Sequence, residues 1–83
     1  MPTVLRVDGF AVRILTDDHP PPHVHVVKAG EKCKIEIGTL IVSHVIGMRA
    51  SDLVRALEIV EEHRWFLWQR WRQIHYGQNS DSR

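Results

Sequence analysis

Hydrophobic and polar residues follow two different rhythms along this chain, with the change at about Arg49. Before it, apolar and polar positions alternate. "TVLRV" sets Leu5 and Val7 opposite Val4 and Arg6, and "FAVRIL" puts Phe10, Val12 and Ile14 on one side and Arg13 on the other. A period of two is that of a β-strand. Asp8-Gly9 between these runs is a hairpin turn pair, because glycine accepts positive φ. "HVHVVKA" reads as a third strand, closed by the turn "AGEK". "CKIEI" reads as a fourth, with Cys33, Ile35 and Ile37 inward and Lys34 and Glu36 outward. "LIVSHVI" is the candidate fifth. Short strands on short links predict an antiparallel sheet that is apolar on one face.

After Arg49 the apolar positions fall three or four apart: Leu53, Leu57, Val60, Leu67, Trp71 and Ile74. That is one stripe of an α-helix. Ser51 is the expected N-cap, Asp52 suits the positive end of the dipole, and Arg70, Arg72 and His75 suit the negative end. Gly77 fits just past the C-terminus. The helix would run from about Arg49 to His75, about 25 residues and roughly 37 Å at 1.5 Å per residue. The predicted fold class is therefore α+β: an antiparallel sheet of four to five short strands, with one long C-terminal helix packed across one face. Residues 1–76 form the expected single domain, and 77–83 ("GQNSDSR") a disordered tail.

The alternation has a chemical consequence. If Val24 and Val26 turn inward, His23 and His25 turn outward, onto the face that also carries Arg13, Lys34 and Glu36. The stretch "DDHPPPHVHV", Asp17 to Val26, holds three of the chain's six histidines and three of its four prolines. Consecutive prolines fix φ near −65° and favour extended geometry, and His19 is restricted because it precedes one. The expectation is a stiff, largely exposed connection with its imidazoles already in place.

Three chemistries suit it. His23 and His25 are the expected metal ligands, zinc being the candidate ion, with Asp17 or Asp18 as an oxygen ligand or an orienting partner. No cofactor is firmly implied; a divalent ion, zinc, is only the candidate. His19, His23 and His25 are the candidate acid–base groups of a small hydrolase of nuclease type. Without a metal, Asp18, His19, His23, His25, Arg13 and Lys34 form a binding set for a phosphate or a carboxylate. Nucleophilic catalysis has less support: Cys33 faces inward as a core residue. Ser43 and His44 are adjacent, so they should diverge on a strand, and there is no G-x-S-x-G turn.

Eleven Lys+Arg against ten Asp+Glu is no footprint of bulk nucleic-acid binding, although local patches are allowed. One cysteine excludes an internal disulfide and fits a reducing compartment. No apolar run nears the ~20 residues of a membrane span, and "MPTVLRVDGF" has no signal-peptide pattern. A cytoplasmic protein without membrane contact is the expectation. A second surface stands out on the helix, where "RWFLWQRW" carries an apolar arc wider than a small sheet covers. Trp65, Phe66 and Trp68 are the candidate interface with a protein partner or a second copy of the chain, since exposed tryptophan beside arginine is typical of binding hot spots. Ile59 and Phe66 fall on one flank of the stripe, and Arg64 falls within it.

Asp18, His19, Pro21, Pro22, His23 and His25 resemble the Asp-His-x-Pro-Pro-His-x-His motif of the bacterial family numbered 4160 among the domains of unknown function. His63, Leu67 and Trp71 are similar to that family's helix. The resemblance covers nearly the whole chain. It departs at Ile59, where the family pattern has a tryptophan, and over Ser43 to Met48. It implies membership of small two-gene modules of toxin–antitoxin type, hence a protein partner and an RNA or DNA target. It implies no mechanism. The leading expectation is a small interaction protein of such a pair. A histidine-dependent hydrolase and a metal-binding module are the alternatives.

Overall fold

The computed structural model of the chain describes residues 3–77; of the tail expected over 77–83, Gly77 belongs to a helical turn and the rest lies outside the described residues. Five strands come first: β1 Thr3–Val7, β2 Phe10–Arg13, β3 His23–Lys28, β4 Glu31–Glu36 and β5 Val42–Ile46. Each pairs antiparallel with its sequence neighbour, giving the sheet order β1-β2-β3-β4-β5. Two links are two-residue turns with both φ values positive: Asp8-Gly9 at 52° and 82°, and Ala29-Gly30 at 48° and 84°. Such turns match the right-handed twist of the strands they join. The second turn is tighter than "AGEK" suggested, so Glu31 and Lys32 belong to β4.

Register sorts the side chains as the alternation predicts. Val12, Val26 and Cys33 are cross-strand neighbours on one face, as are Val24, Ile35 and Val42. On the other face Arg13, His25, Lys34 and Ser43 stand in one row. The first face is the core: Phe10, Val12, Ile14, Val24, Val26, Cys33, Ile35 and Ile37 are all at most 3 % exposed.

A helical layer covers that face, but not as one long helix. α1 runs Ala50–Glu62 and α2 runs Arg64–Arg72, and a π-helical turn, Gln73–Gly77, follows. His63 separates α1 from α2 with φ −109° and ψ 20°. The cause is local. The Ile59 carbonyl accepts from both the His63 backbone N–H at 3.1 Å and its ring Nδ1–H at 2.9 Å. A side chain that competes for the carbonyl four residues back bends a helix. His75 does the same to the Trp71 carbonyl at 3.0 Å, inside the π-helical turn. Gly77 is the last residue of that turn rather than a cap beyond the helix.

The predicted stripe is otherwise in place. Val60, Leu67 and Trp71 are fully buried, and Leu53, Leu57 and Ile74 pack against the core. Ile59, assigned to a flank, is also fully buried, whereas Phe66 is not. The break at His63 changes the helical phase between them. Arg64 is exposed rather than enclosed by the core. The N-cap is Arg49, without a side-chain cap, instead of Ser51. Asp52 sits in the first turn as expected and pairs with Lys28 at 3.2 Å. No helix among the described residues is long and apolar enough to cross a membrane.

Candidate functional site

The connection from Ile14 to Pro22 is folded back on itself by Asp18. Its N–H donates to the Leu15 carbonyl at 3.3 Å, and its Oδ2 accepts from the Leu15 N–H at 3.2 Å. This anchors the carboxylate before any histidine is considered, and its side chain is only 12 % exposed. The sequence predicts extended proline geometry; the Pro20–Pro21 bond is cis. The Pro22 carbonyl accepts from the Ile37 N–H at 3.0 Å, which ties the end of the loop to the end of β4.

Here β3 begins with His23. Its Nδ1 lies 2.9 Å from the Pro21 carbonyl oxygen, an acceptor only, so Nδ1 carries the proton. Nε2 then faces Asp18 Oδ2 at 3.3 Å, and His25 Nε2 approaches the same oxygen at 3.1 Å. The three atoms lie within 4.8 Å of one another. The two imidazoles meet edge to face, with centroids 5.1 Å apart. From the helical layer Trp71 packs against the His23 ring at 5.3 Å and stacks on His75 at 3.8 Å and 20°.

Two expectations are corrected here. His23 does not stand on an open face: it is 4 % exposed. Alternation assigns a residue to a face but does not give its burial, and here Trp71 packs against the His23 ring and Asp18 of the loop approaches its Nε2. The loop itself is exposed at Asp17, His19, Pro20 and Pro21 and is covered only where it runs into β3. His19 is exposed and lies outside the three-atom cluster, although it lines the adjoining pocket. Asp18, His23 and His25 are thus brought together, and His19 is not.

That pocket has a volume of about 430 Å³. Its wall includes the cluster, Asp17, Lys32, Lys34 and His44. Lys34 stands directly across from His25 on β4, and Arg13 directly across from it on β2. Sequence reasoning named Arg13 and Lys34 but missed Lys32 and His44. His44 has φ +53° in a bulge of β5, where Lys32 pairs with Ile46 and Lys34 with Ser43. The bulge also brings the neighbours together, with His44 Nδ1 hydrogen-bonded to Ser43 Oγ at 3.0 Å, where a regular strand would part them. Cys33 is a core residue as expected, and burial pushes its thiol up to about 11.

A second hollow, about 300 Å³, lies between α2 and the prolines, bounded by Pro21, Pro22, Ile37, Arg64, Trp65 and Trp68. Three of the four aromatic residues of this helix stay uncovered, Trp71 being the buried one: Trp65 is 70 % exposed, Phe66 42 % and Trp68 37 %.

The comparisons with known proteins bear on the same residues. The family described as "Domain of unknown function (DUF4160)" matches residues 9–72. The chain belongs to the DUF4160 family. The matched range contains the whole Asp18–His23–His25 cluster and Trp71, so the resemblance read from the loop and the helix joins parts that touch in space. No curated protein and no solved structure matches this DUF4160 chain.

Proposed function

We propose that this DUF4160 chain is a metal-binding module that holds a divalent ion, zinc or a close equivalent, on Asp18, His23 and His25. One observation carries the reading: a carboxylate oxygen and two Nε2 atoms converge at 3.1 and 3.3 Å along two edges. Ligand atoms about 2.05 Å from a tetrahedral ion lie roughly 3.3 Å from one another, so two of the three edges already have that length. The third, between the two Nε2 atoms, is at most 4.8 Å. His23 has the outer support typical of a ligand, its Nδ1–H held by the Pro21 carbonyl so that the Nε2 lone pair faces inward. Three protein ligands leave a coordination position open, the pattern of sites that bind or activate a further molecule.

The test is zinc titration by calorimetry on chelator-stripped protein, with cobalt(II) absorption as a second readout. One ion per chain is expected. Excess zinc at about 100 times Kd should add ~2.7 kcal/mol of stability. His25→Gln and Asp18→Asn should each abolish the added stability. Absence of binding at millimolar zinc, or unchanged binding in both variants, overturns the proposal.

A second reading is supported by the exposure of Trp65, Phe66 and Trp68. In it, the α2 side of the molecule docks a protein partner or a second copy, as in a toxin–antitoxin-like pair. Sedimentation of the purified chain, alone and with its genomic neighbour, tests it. A monomer in both cases overturns it.

A further inference from the structure

We infer that the open side of the Asp18–His23–His25 site receives the phosphate group of a small phosphate ester, held by Lys34 and Lys32; this deepens the metal reading and rests on it. His25 and Lys34 are directly opposed on β3 and β4, so the ammonium stands on the same wall as the Nε2 that would hold the ion. Lys32 lies one alternation further along β4 on the same face, opposite Val27, and both lysines line the same pocket. Neither joins a carboxylate in an ion pair among the described residues, whereas Lys28, on β3 just before the turn into β4, is committed to Asp52 at 3.2 Å.

Charge then selects the ligand. The ion would bring two positive charges and the two lysines two more. Asp17 and Asp18 remove two, which leaves the pocket doubly positive. A phosphate monoester is a dianion with three strong acceptor oxygens, enough for the ion and both ammonium groups. A carboxylate has one charge and two oxygens. Lysine binds phosphate as a point charge and needs no fixed planar geometry. The volume of about 430 Å³ suits a small ester.

The experiment uses the full chain loaded with cobalt(II), whose visible band reports the ion independently of the anion. Inorganic phosphate, phenyl phosphate, acetate and a short single-stranded oligonucleotide are titrated in turn. Phosphate and phenyl phosphate should perturb the band at concentrations where acetate does not. Lys34→Met and Lys32→Met should each weaken that binding about tenfold, the size of one charge-assisted hydrogen bond, with cobalt affinity unchanged. Equal binding by the double lysine variant, or acetate acting as strongly as phosphate, overturns the inference. An oligonucleotide that binds far more tightly than phenyl phosphate overturns the small-ester assignment. If no cobalt band forms, the metal reading fails first. Calorimetry of phosphate on the metal-free chain then decides the lysine site: binding lost in Lys34→Met keeps it, and no binding removes it.

Discussion

Replacing His23 by alanine should separate a buried positioning role from an exposed catalytic one. The imidazole is 4 % exposed, donates to the Pro21 carbonyl at 2.9 Å and packs on Trp71 at 5.3 Å. Losing the hydrogen bond costs about 1 kcal/mol, and more if the Pro21 carbonyl stays unsatisfied. The void against Trp71 adds about 2 kcal/mol, toward the low end for a large-to-small core change. The total of ~3 kcal/mol corresponds to a Tm lower by about 12–24 °C in a domain of this size. His25→Ala is the control. Its side chain is 32 % exposed, and it gives up one contact with Asp18, whose Oδ2 keeps the Leu15 N–H. A loss of ~1 kcal/mol or less is expected there. Urea unfolding followed by tryptophan fluorescence, in chelator so that no ion contributes, measures both. Midpoints of the two variants within ~0.5 kcal/mol of each other would refute the reasoning, because burial would then not distinguish the two imidazoles.

Two other outcomes are expected. Cys33 has its folded-state thiol raised to about 11 from an ordinary value of 9.0, by burial. The stability this gives is whole below pH 9 and disappears as pH rises through 11. Urea midpoints should therefore fall between those values, and less so in Cys33→Ala; a flat profile over that window counts against the burial argument. On the helices, Trp65→Ala should change unfolding by no more than ~0.5 kcal/mol, since Trp65 is 70 % exposed, whereas fully buried Trp71 should cost ~3–5 kcal/mol. Equal losses in denaturant titrations would mean that Trp65 is covered.

The sheet was legible because its signals are local. A period of two in "FAVRIL" and "CKIEI" names the buried face, and Asp8-Gly9 marks a turn whose φ values only a few residue types accept. The helix stripe was equally plain at Val60, Leu67 and Trp71. What escaped notice was made by side chains acting on the backbone. His63 and His75 each bond to the carbonyl four residues back, and nothing in the hydrophobic period registers that. The β5 bulge at His44 is invisible for the same reason: alternation assumes that every residue has a cross-strand partner. At the site, His23, His25, Arg13 and Lys34 were found from spacing, because they share one face of paired strands. The burial of His23 was not, because it depends on Trp71, almost fifty residues away in the chain.

The strand order also governs how quickly the chain reaches its native state. Every ladder in the sheet joins consecutive strands, and two of the four links are two-residue turns. Loop closure is therefore inexpensive at those turns, and every strand pairs with its neighbour in sequence. Folding slows as contacts become more distant in sequence, so a sheet whose strands pair with their neighbours should form faster than one built from distant strands. The exception is the link carrying Asp18, which spans from Arg13 to His23 and is the longest between any two strands. The β3–β4 hairpin, with the most extensive ladder and a two-residue turn, is the natural nucleus. Docking of β2 through the Asp18 loop would come later, so His25 and Lys34 should meet early in folding and Asp18 should join them last.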